Sequence, residues 1–563
     1  VRSFRPRGSS KRKRCAARLA RLAWLRLGLC FVEQAIAIGP PERLLMTEHY
    51  DIIIVGTGAG GGTLAHELAL AGKKLLILER GSFLPREKQN WDTRAVFLDN
   101  RYHTTETWTD HNGNTLRPGT GYWVGGNTKV YGAAMFRLRA RDFETVRHEG
   151  GVSPEWPLKY DVFEPYYTRA EKLFCVHGKS GVDPTEPSRS EEYPFPPLLN
   201  EPRMQSIQES LAALGYHPYP VPLALKLDEA DALHSACIRC DTCDGFPCLV
   251  HAKADAEIEC IRPVMDRANV TLRTRSKVTT ILLNATGTAV TGVGVEVEDE
   301  RSGATAAATY KADIVVLSCG AINSAALLLK CTSSRFPGGL ANSSDLVGRN
   351  FMFHNSDAMV ALSTHENHDR YMKTFGINDF YFGEPDFPYP MGSIQPVGSF
   401  KQEMLKSDAP PLTPGFALKM VKDHTVPWWL MTEDLPDASN RVRVVDGRIR
   451  LEYTPNNQVS FKRLKARWTD VLKRSGHAHT VFDWHAYFKK DIDIEGVGHQ
   501  NGTCRFGSDP TQSVLDLHCR AHDLDNLYVV DGAFFPSCGA VNPSLTIIAN
   551  AIRVADHLIE RLG

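Results

Sequence analysis

Residues Tyr50 to Gly81 read YDIIIVGTGAGGGTLAHELALAGKKLLILERG, a stretch in which strand, glycine turn, helix, second strand and terminal acid follow one another. Ile52, Ile53, Ile54 and Val55 form an apolar run suited to a strand buried on both faces, as in a parallel sheet. Gly56, Gly58 and Gly61 come directly after it with G-x-G-x-x-G spacing. The first glycine permits a tight turn, the second lets backbone N–H groups approach a pyrophosphate, and the third allows close packing of the helix that opens near Ala59. Unpaired N–H groups at the start of that helix then face the phosphates. A second apolar strand, Leu75 to Leu78, ends at Glu79, an acid placed to accept hydrogen bonds from a ribose diol. An NADP site would put a basic residue there. The whole unit predicts a bound dinucleotide and leaves FAD and NAD unresolved.

From Met46 onward the chain has 518 residues, enough for two domains with well-formed cores. Apolar strands alternate with helical segments from Tyr50 to Leu78 and again from Val270 to Leu329, which predicts an α/β nucleotide domain. DIVVLS, Asp313 to Ser318, reads as its other buried strand, leading through Gly320 into a helix ending near Leu329. Between Phe351 and Ile492 proline and aromatic residues rise, and a second domain begins. There RVRVVDGRIRLEY, Arg441 to Tyr453, reads as two strands about an Asp-Gly turn. Trp428, Trp429 and the aromatic residues between Asn378 and Phe382 read as sheet core or as a platform for a sugar, with core preferred. The chain holds no internal repeat and no window of about 18 uninterrupted apolar residues, so no membrane span is expected.

Five further segments carry a family resemblance. They are VGGNTKVYGAA at Val124 to Ala134, LSCGAINSAALLL at Leu317 to Leu329, VGRNFMFHN at Val347 to Asn355, GVGHQNGTCRFG at Gly496 to Gly507, and DGAFFPSCGAVNPSLTIIAN at Asp531 to Asn550. With the first glycine turn, and in this order, they resemble the glucose-methanol-choline (GMC) oxidoreductases over most of the chain, and among them the bacterial FAD-dependent sugar dehydrogenases. The resemblance implies FAD as the dinucleotide, with its isoalloxazine against the last two segments. It also implies an α/β fold: a Rossmann-like FAD-binding domain, discontinuous in sequence, and a substrate domain built on an antiparallel sheet over the flavin ring. On that basis residues 46–350 form the FAD domain, 351–492 the substrate domain, and 493–563 return to the FAD domain with the catalytic residues.

Oxidising an alcohol removes the hydroxyl proton while hydride leaves the carbon, so a base must reach the oxygen and the carbon must face flavin N5. His499 suits the base, because an imidazole near neutral pKa accepts a proton at working pH. Asn542 suits a partner that holds the hydroxyl without competing for that proton. Any one of the 20 histidines alone would read as a structural group. The place of His499 in H-x-x-G-T-C singles it out, and the resemblance implies the same two roles, with Asn542 where some members carry a second histidine. It further implies flavin contacts at Gly125, Gly126 and Asn127, at the pair Asp531 and Gly532, and at Thr546, in a helix whose N-terminus would stabilise negative charge on reduced flavin. Val278 falls at the adenine-side backbone contact. Thr546 and Val278 also read as an ordinary helix hydroxyl and an ordinary strand valine. Several members attach FAD covalently through a histidine four residues after the second glycine. Here that position is Val130, so FAD is expected to be non-covalent.

Cys237, Cys240, Cys243 and Cys248 form C-x-x-C-x-x-C-x4-C within CIRCDTCDGFPCLVHAK. Thiolates this close can ligate zinc or an iron-sulfur cluster. Cluster-bearing sugar dehydrogenases of the family place a cysteine-rich insert at a comparable point, but with an adjacent Cys-Cys pair that is absent here. The bacterial ferredoxin run has three residues before its last cysteine and then a proline, whereas four precede Cys248 and Leu249 follows. Structural or disulfide-linked cysteines, an iron-sulfur cluster and zinc all stay open, in that order of preference.

The formal charge of zero conceals two unlike parts, because Val1 to Leu45 carries 11 basic and 2 acidic residues, which leaves −9 on the remainder. Arg21 and Arg26 interrupt its apolar run, so it reads as neither a spanning helix nor a secretory segment. Met46, directly before the first strand, looks like the natural start, and residues 1–45 are read as upstream sequence outside the fold. A targeting leader and a basic membrane-surface helix are the other two readings. Cytoplasm is the default location, with periplasmic or membrane-associated placement open. The function expected is oxidation of a CH–OH donor, a sugar, glycoside or polyol, with electrons passing from flavin to oxygen, a quinone or dye, or an electron-transfer protein. A sterol or simple-alcohol oxidase, a hydroxynitrile lyase with structural FAD, and a non-catalytic flavoprotein partner are the alternatives, and nothing points to nucleic acid.

Overall fold

The apolar runs of the opening motif pair edge to edge. The computed structural model describes residues 48–409, 412–483 and 498–563. The basic stretch 1–45 and the domain boundary at 492/493 lie outside the described residues. β1 (His49–Val55), α1 (Ala59–Leu70) and β2 (Leu75–Leu78) form the first unit, with β1 parallel to β2 from Ile52 opposite Leu75 to Val55 opposite Leu78. Ile52 to Ile54 and Leu75 to Leu78 are fully buried, as strands covered on both faces require. β3 (Val270–Arg273) adds in parallel beyond β2. β4 (Ser276–Leu283), β5 (Val290–Glu298) and β6 (Thr305–Leu317) then form an antiparallel meander. The first half of β6 pairs with β5, and its second half, the predicted DIVVLS strand, lies parallel beside β1.

Close approach explains two glycines of the turn. Gly56 holds φ +99°, where a side chain is strained, and a Cβ there would stand 2.3 Å from the Ser318 carbonyl oxygen. A Cβ on Gly61 would stand 2.1 Å from the Gly56 carbonyl oxygen, so α1 can lie against the turn only because that position is bare. The helix packs against α5 (Ser544–Leu562), which also receives α2 (Tyr160–Leu173).

The second sheet comes from the segment richer in proline and aromatics. β7 (Asn355–Leu362), β8 (Ser393–Pro396), β9 (Thr425–Thr432) and β10 (Thr480–Asp483) stand in the order β8-β9-β7-β10, all antiparallel. Side chains alternate between its faces. Met359 and Ala361 join the cluster that holds Trp428 and the buried face of α4 (Gln458–Arg474), whereas Ala358 and Val360 join a second cluster with Leu405 and Leu418. Trp428 is core, edge-on to Trp468 at 4.7 Å, while its neighbour Trp429 faces the other way. β11 (Leu527–Val529) rejoins the first sheet, parallel to β6.

The Asp-Gly hairpin forms as read, Arg441–Val445 with Arg448–Glu452, and Asp446 and Gly447 both hold positive φ. It does not join the second sheet. Arg450 and Leu451 pair in parallel with Thr109 and Asp110, making a separate four-stranded sheet. The cause is burial: Val442, Ile449 and Leu451 belong to the first core.

Trp468 is fully buried and anchors α4 on the second sheet. Trp468→Ala is expected to cost about 3–5 kcal/mol, read as a lowered thermal midpoint; an unchanged midpoint would show that the sheet does not depend on this contact.

Candidate functional site

The glycine turn, the second glycine segment and the C-terminal segments open onto one cavity of about 1490 Å³. Gly56, Gly58, Glu79, Gly126, Asn127, Val278, His499, Asp531, Gly532 and Asn542 all line it. Gly61, Gly125, Thr546 and the four cysteines of residues 237–248 do not.

At one end the cavity fits a dinucleotide. A Cβ built on Gly58, the residue that begins α1, meets nothing within 4 Å, so open space lies against the helix start where phosphates are accommodated. Glu79 is buried, and loss of hydration raises its pKa. One carboxylate oxygen accepts from the Thr57 backbone N–H (3.1 Å) and hydroxyl (2.6 Å), the other from Gly81 N–H (2.9 Å). The Thr57 hydroxyl in turn accepts from Gly125 N–H at 3.1 Å, which is how Gly125 acts from behind the cavity wall. Asp531 accepts from Gly320 N–H (3.0 Å), the Ser324 hydroxyl (2.5 Å) and Ala533 N–H (2.8 Å), and burial pushes its pKa up to about 6. Those bonds fix the start of α3 (Ala321–Lys330) beside the first strand ends. These features suit FAD: a bare phosphate cradle, a buried acid at the second strand end, and Asp531 with Gly532 further along the wall.

Thr546 takes the second of its two readings, an ordinary helix hydroxyl. Its hydroxyl is fully buried, 2.8 Å from the Tyr167 hydroxyl, whereas Pro543, Ser544 and Ile547 face the cavity. A helix turns about 100° per residue, so Ser544 and Ile547 share a side that Thr546 does not.

At the other end a chain of hydrogen bonds sets the state of His499. Met352 and Asn501 exchange backbone hydrogen bonds at 3.1 and 2.9 Å as an antiparallel bridge. Two residues onward from one and two back from the other lie His354 and His499, which this register sets opposite each other with their rings nearly perpendicular, Nδ1 to Nδ1 at 3.1 Å. His354 Nε2 lies 3.0 Å from the Gly539 carbonyl oxygen, which can only accept, so His354 carries its proton on Nε2 and its Nδ1 is an acceptor. His499 must then donate through Nδ1–H and present Nε2 as the unprotonated nitrogen. Asn542 Nδ2 meets that nitrogen at 3.2 Å, and Gln395 Nε2 donates to Asn542 Oδ1 at 2.9 Å. Burial, His354 and Lys373 hold the His499 pKa well below its ordinary value, and burial lowers that of His354, so both rings stay neutral.

The segment carrying Asn542 is pinned at its backbone. Gly539 N–H donates to Glu433 Oε1 (3.1 Å), and Ala540 N–H donates to the Tyr381 hydroxyl (2.9 Å). His354, Gln395 and Glu433 were not among the residues the sequence singled out, although His354 lies inside VGRNFMFHN; Tyr381 was, as sheet core or sugar platform, and it is buried with its hydroxyl holding this segment. The His354 backbone sits at φ +76°, unusual outside glycine.

The cysteine segment fits the structural reading that the sequence preferred. Cys237, Cys240, Cys243 and Cys248 are free thiols, and among the described residues no group of three or more His, Cys, Asp or Glu side chains is arranged to hold a metal ion. Burial pushes Cys243 up to about 12 and Cys237 up to about 11, and Cys248 Sγ accepts from Ala252 N–H at 3.3 Å. The loop is held instead by buried Lys253, whose ammonium donates to the carbonyls of Tyr131 (2.7 Å), Cys243 (2.7 Å) and Phe246 (2.9 Å). Nothing in this arrangement supports an iron-sulfur cluster, and the free thiols pack as structural groups.

Two family models described as GMC oxidoreductase match the chain, at residues 50–356 and 429–551. Paromamine 6'-oxidase of Streptomyces fradiae is 32% identical over 91% of this chain and 92% of its own length. The fructose dehydrogenase large subunit of Gluconobacter japonicus is 26% identical over 91% and 98%. Among solved structures, pyridoxine 4-oxidase from Mesorbium loti superposes with a TM-score of 0.60 at 20% identity, covering 90% of this chain and 99% of that one. Formate oxidase from Aspergillus oryzae gives 0.65 at 15%, covering 92% and 98%; both structures speak to the fold. The chain belongs to the GMC oxidoreductase family. It is an FAD-dependent oxidoreductase acting on alcohol groups.

His354→Phe removes the acceptor that fixes the His499 tautomer, and is expected to lower kcat about tenfold or more with little change in KM. His354→Asn, which can still accept from His499 and donate to the Gly539 carbonyl, is expected to recover part of that loss. Equal activity in all three proteins would remove His354 from the arrangement.

Proposed function

We propose that this enzyme oxidises a CH–OH group of a sugar, glycoside or polyol to a carbonyl, with His499 as the base. The observation that carries the reading is the polarity of the hydrogen-bond chain, which leaves His499 Nε2 unprotonated at the cavity wall. A donor hydroxyl that takes the place of the Asn542 N–H at that nitrogen gives up its proton to it. Asn542 Nδ2, held from behind by Gln395, is a donor for the hydroxyl oxygen and cannot take the proton itself. FAD, when bound, supplies the hydride acceptor. Val130 at the cavity wall offers no group for a covalent link, in keeping with FAD that dissociates. The described parts of 46–350 and 493–563 then hold the cofactor, and the described part of 351–492 covers the donor. The preference for a carbohydrate donor is supported by the names of the relatives, a paromamine oxidase and a fructose dehydrogenase. It is supported too by the polar donor end of the cavity, where Asp241, Asp244, Lys373 and Gln395 join Trp429. Electrons leave to an external acceptor.

His499→Ala is expected to keep FAD and lower turnover by about 10²–10⁴-fold. Anaerobic addition of a sugar or polyol donor to the wild-type holoenzyme should bleach the flavin bands. Retained activity in the variant would exclude His499 as the base, and turnover of a cyanohydrin without any bleaching would move the protein to the lyase class.

A further inference from the structure

The donor end of the cavity holds an ion pair that the hydrogen-bond chain does not use. Lys373 and Asp244 both line the cavity, and Lys373 Nζ pairs with Asp244 Oδ1. The two side chains are only 8% and 24% exposed, and a pair so withdrawn from water recovers its lost hydration only when further hydrogen bonds complete it. Capacity for such bonds is left over. An ammonium has three N–H donors; one serves Asp244, one reaches the Gly132 carbonyl at a long 3.4 Å, and one remains. The carboxylate has two oxygens with two acceptor positions each; Oδ1 takes Lys373 and Oδ2 takes Gly398 N–H at 2.8 Å, which leaves one position on each.

A donor and an acceptor side by side match two neighbouring hydroxyls, one accepting from the ammonium while the other donates to the carboxylate. A simple alcohol has nothing to offer both. The pair is also at the right range. Gln395, which holds Asn542, and Gly398, which holds Asp244, are three residues apart on one strand and its extension, a span of at most about 10 Å. The pair and His499 line the same cavity, and a glycoside of one or two rings with one hydroxyl at His499 carries further hydroxyls along that wall.

Resting on the reading of this enzyme as an oxidase or dehydrogenase of sugars or polyols, we propose that Lys373 and Asp244 form a diol clamp that selects donors carrying adjacent hydroxyls beyond the one oxidised. The pair also ties residues 237–248 to the second domain, so a purely structural clasp is the competing account. A second pair allows the two to be separated. Lys401 bonds Asp241 of the same loop at 2.5 Å, and Lys401 does not line the cavity.

The test uses FAD holoenzyme with a dye acceptor and two matched donor pairs: glycerol against 1-propanol, and methyl glucoside against tetrahydropyran-2-methanol. Wild type is expected to favour the hydroxylated member of each pair. Lys373→Met and Asp244→Asn should each reduce that preference in kcat/KM by about tenfold or more, chiefly through KM. Lys401→Met should leave the preference as it is, even where it lowers the thermal midpoint. Lys373→Arg, which keeps the charge and the tie to the loop, should raise KM for the hydroxylated donors and gives a reading if the Met variant fails to hold FAD. An unchanged preference in the Lys373 variants, or the same loss for both members of a pair, would overturn the clamp while the proposed function stands. Flavin bleaching by 1-propanol or tetrahydropyran-2-methanol but by neither hydroxylated donor would overturn the carbohydrate reading itself, and the clamp with it.

Discussion

The site depends on one carbonyl oxygen. Gly539 C=O can only accept, and because His354 Nε2 lies 3.0 Å from it, the direction of every later hydrogen bond follows: His354 accepts from His499, and His499 turns its unprotonated nitrogen to the cavity. Neutrality of both rings is required for this order, and burial supplies it, since a charged imidazolium would lose its hydration in the wall. The nitrogen proposed as the base is thus set by geometry.

The fold serves that arrangement from two directions. The parallel sheet sets the glycine turns and Asp531 side by side at its strand ends, where backbone N–H groups and a bare Gly58 leave room for a dinucleotide. The antiparallel sheet supplies Gln395 from β8 and the wall residues Ala358 and Trp429 from β7 and β9. The Met352–Asn501 bridge brings the segment ahead of β7 to the C-terminal return, so the two histidines meet where the two parts join. No helix among the described residues is long and apolar enough to cross a membrane.

Much of this was legible in the sequence where the signal is local. β1, α1 and β2 follow from an apolar run, glycine spacing and a terminal acid within about thirty residues. His499 and Asn542 were marked by their motifs, and the two do approach each other in the structure. What lay beyond the sequence was register and direction. His354 and His499 are 145 positions apart, and only the pairing of Met352 with Asn501 sets them opposite. Thr546 kept two readings because a motif does not give the phase of its helix. The cysteine spacing left structural and metal-bound readings open because spacing does not say where the sulfurs point; Lys253 holds that loop through carbonyls. The Asp-Gly hairpin was legible as two strands, but its sheet was not, since either core could have taken its apolar face.

The most direct test of the neutral, oriented base is the pH dependence of the first-order rate of anaerobic flavin reduction at saturating donor. Protonating His499 Nε2 abolishes its role, so the rate must fall on the acid side through the pKa that the folded, buried ring has. The account predicts a rate that is level through neutral pH, with its acid limb well below about 6.5, the ordinary value for histidine. A limb at or above that value would contradict it, because the ring facing the cavity would then be charged where the account requires a free lone pair.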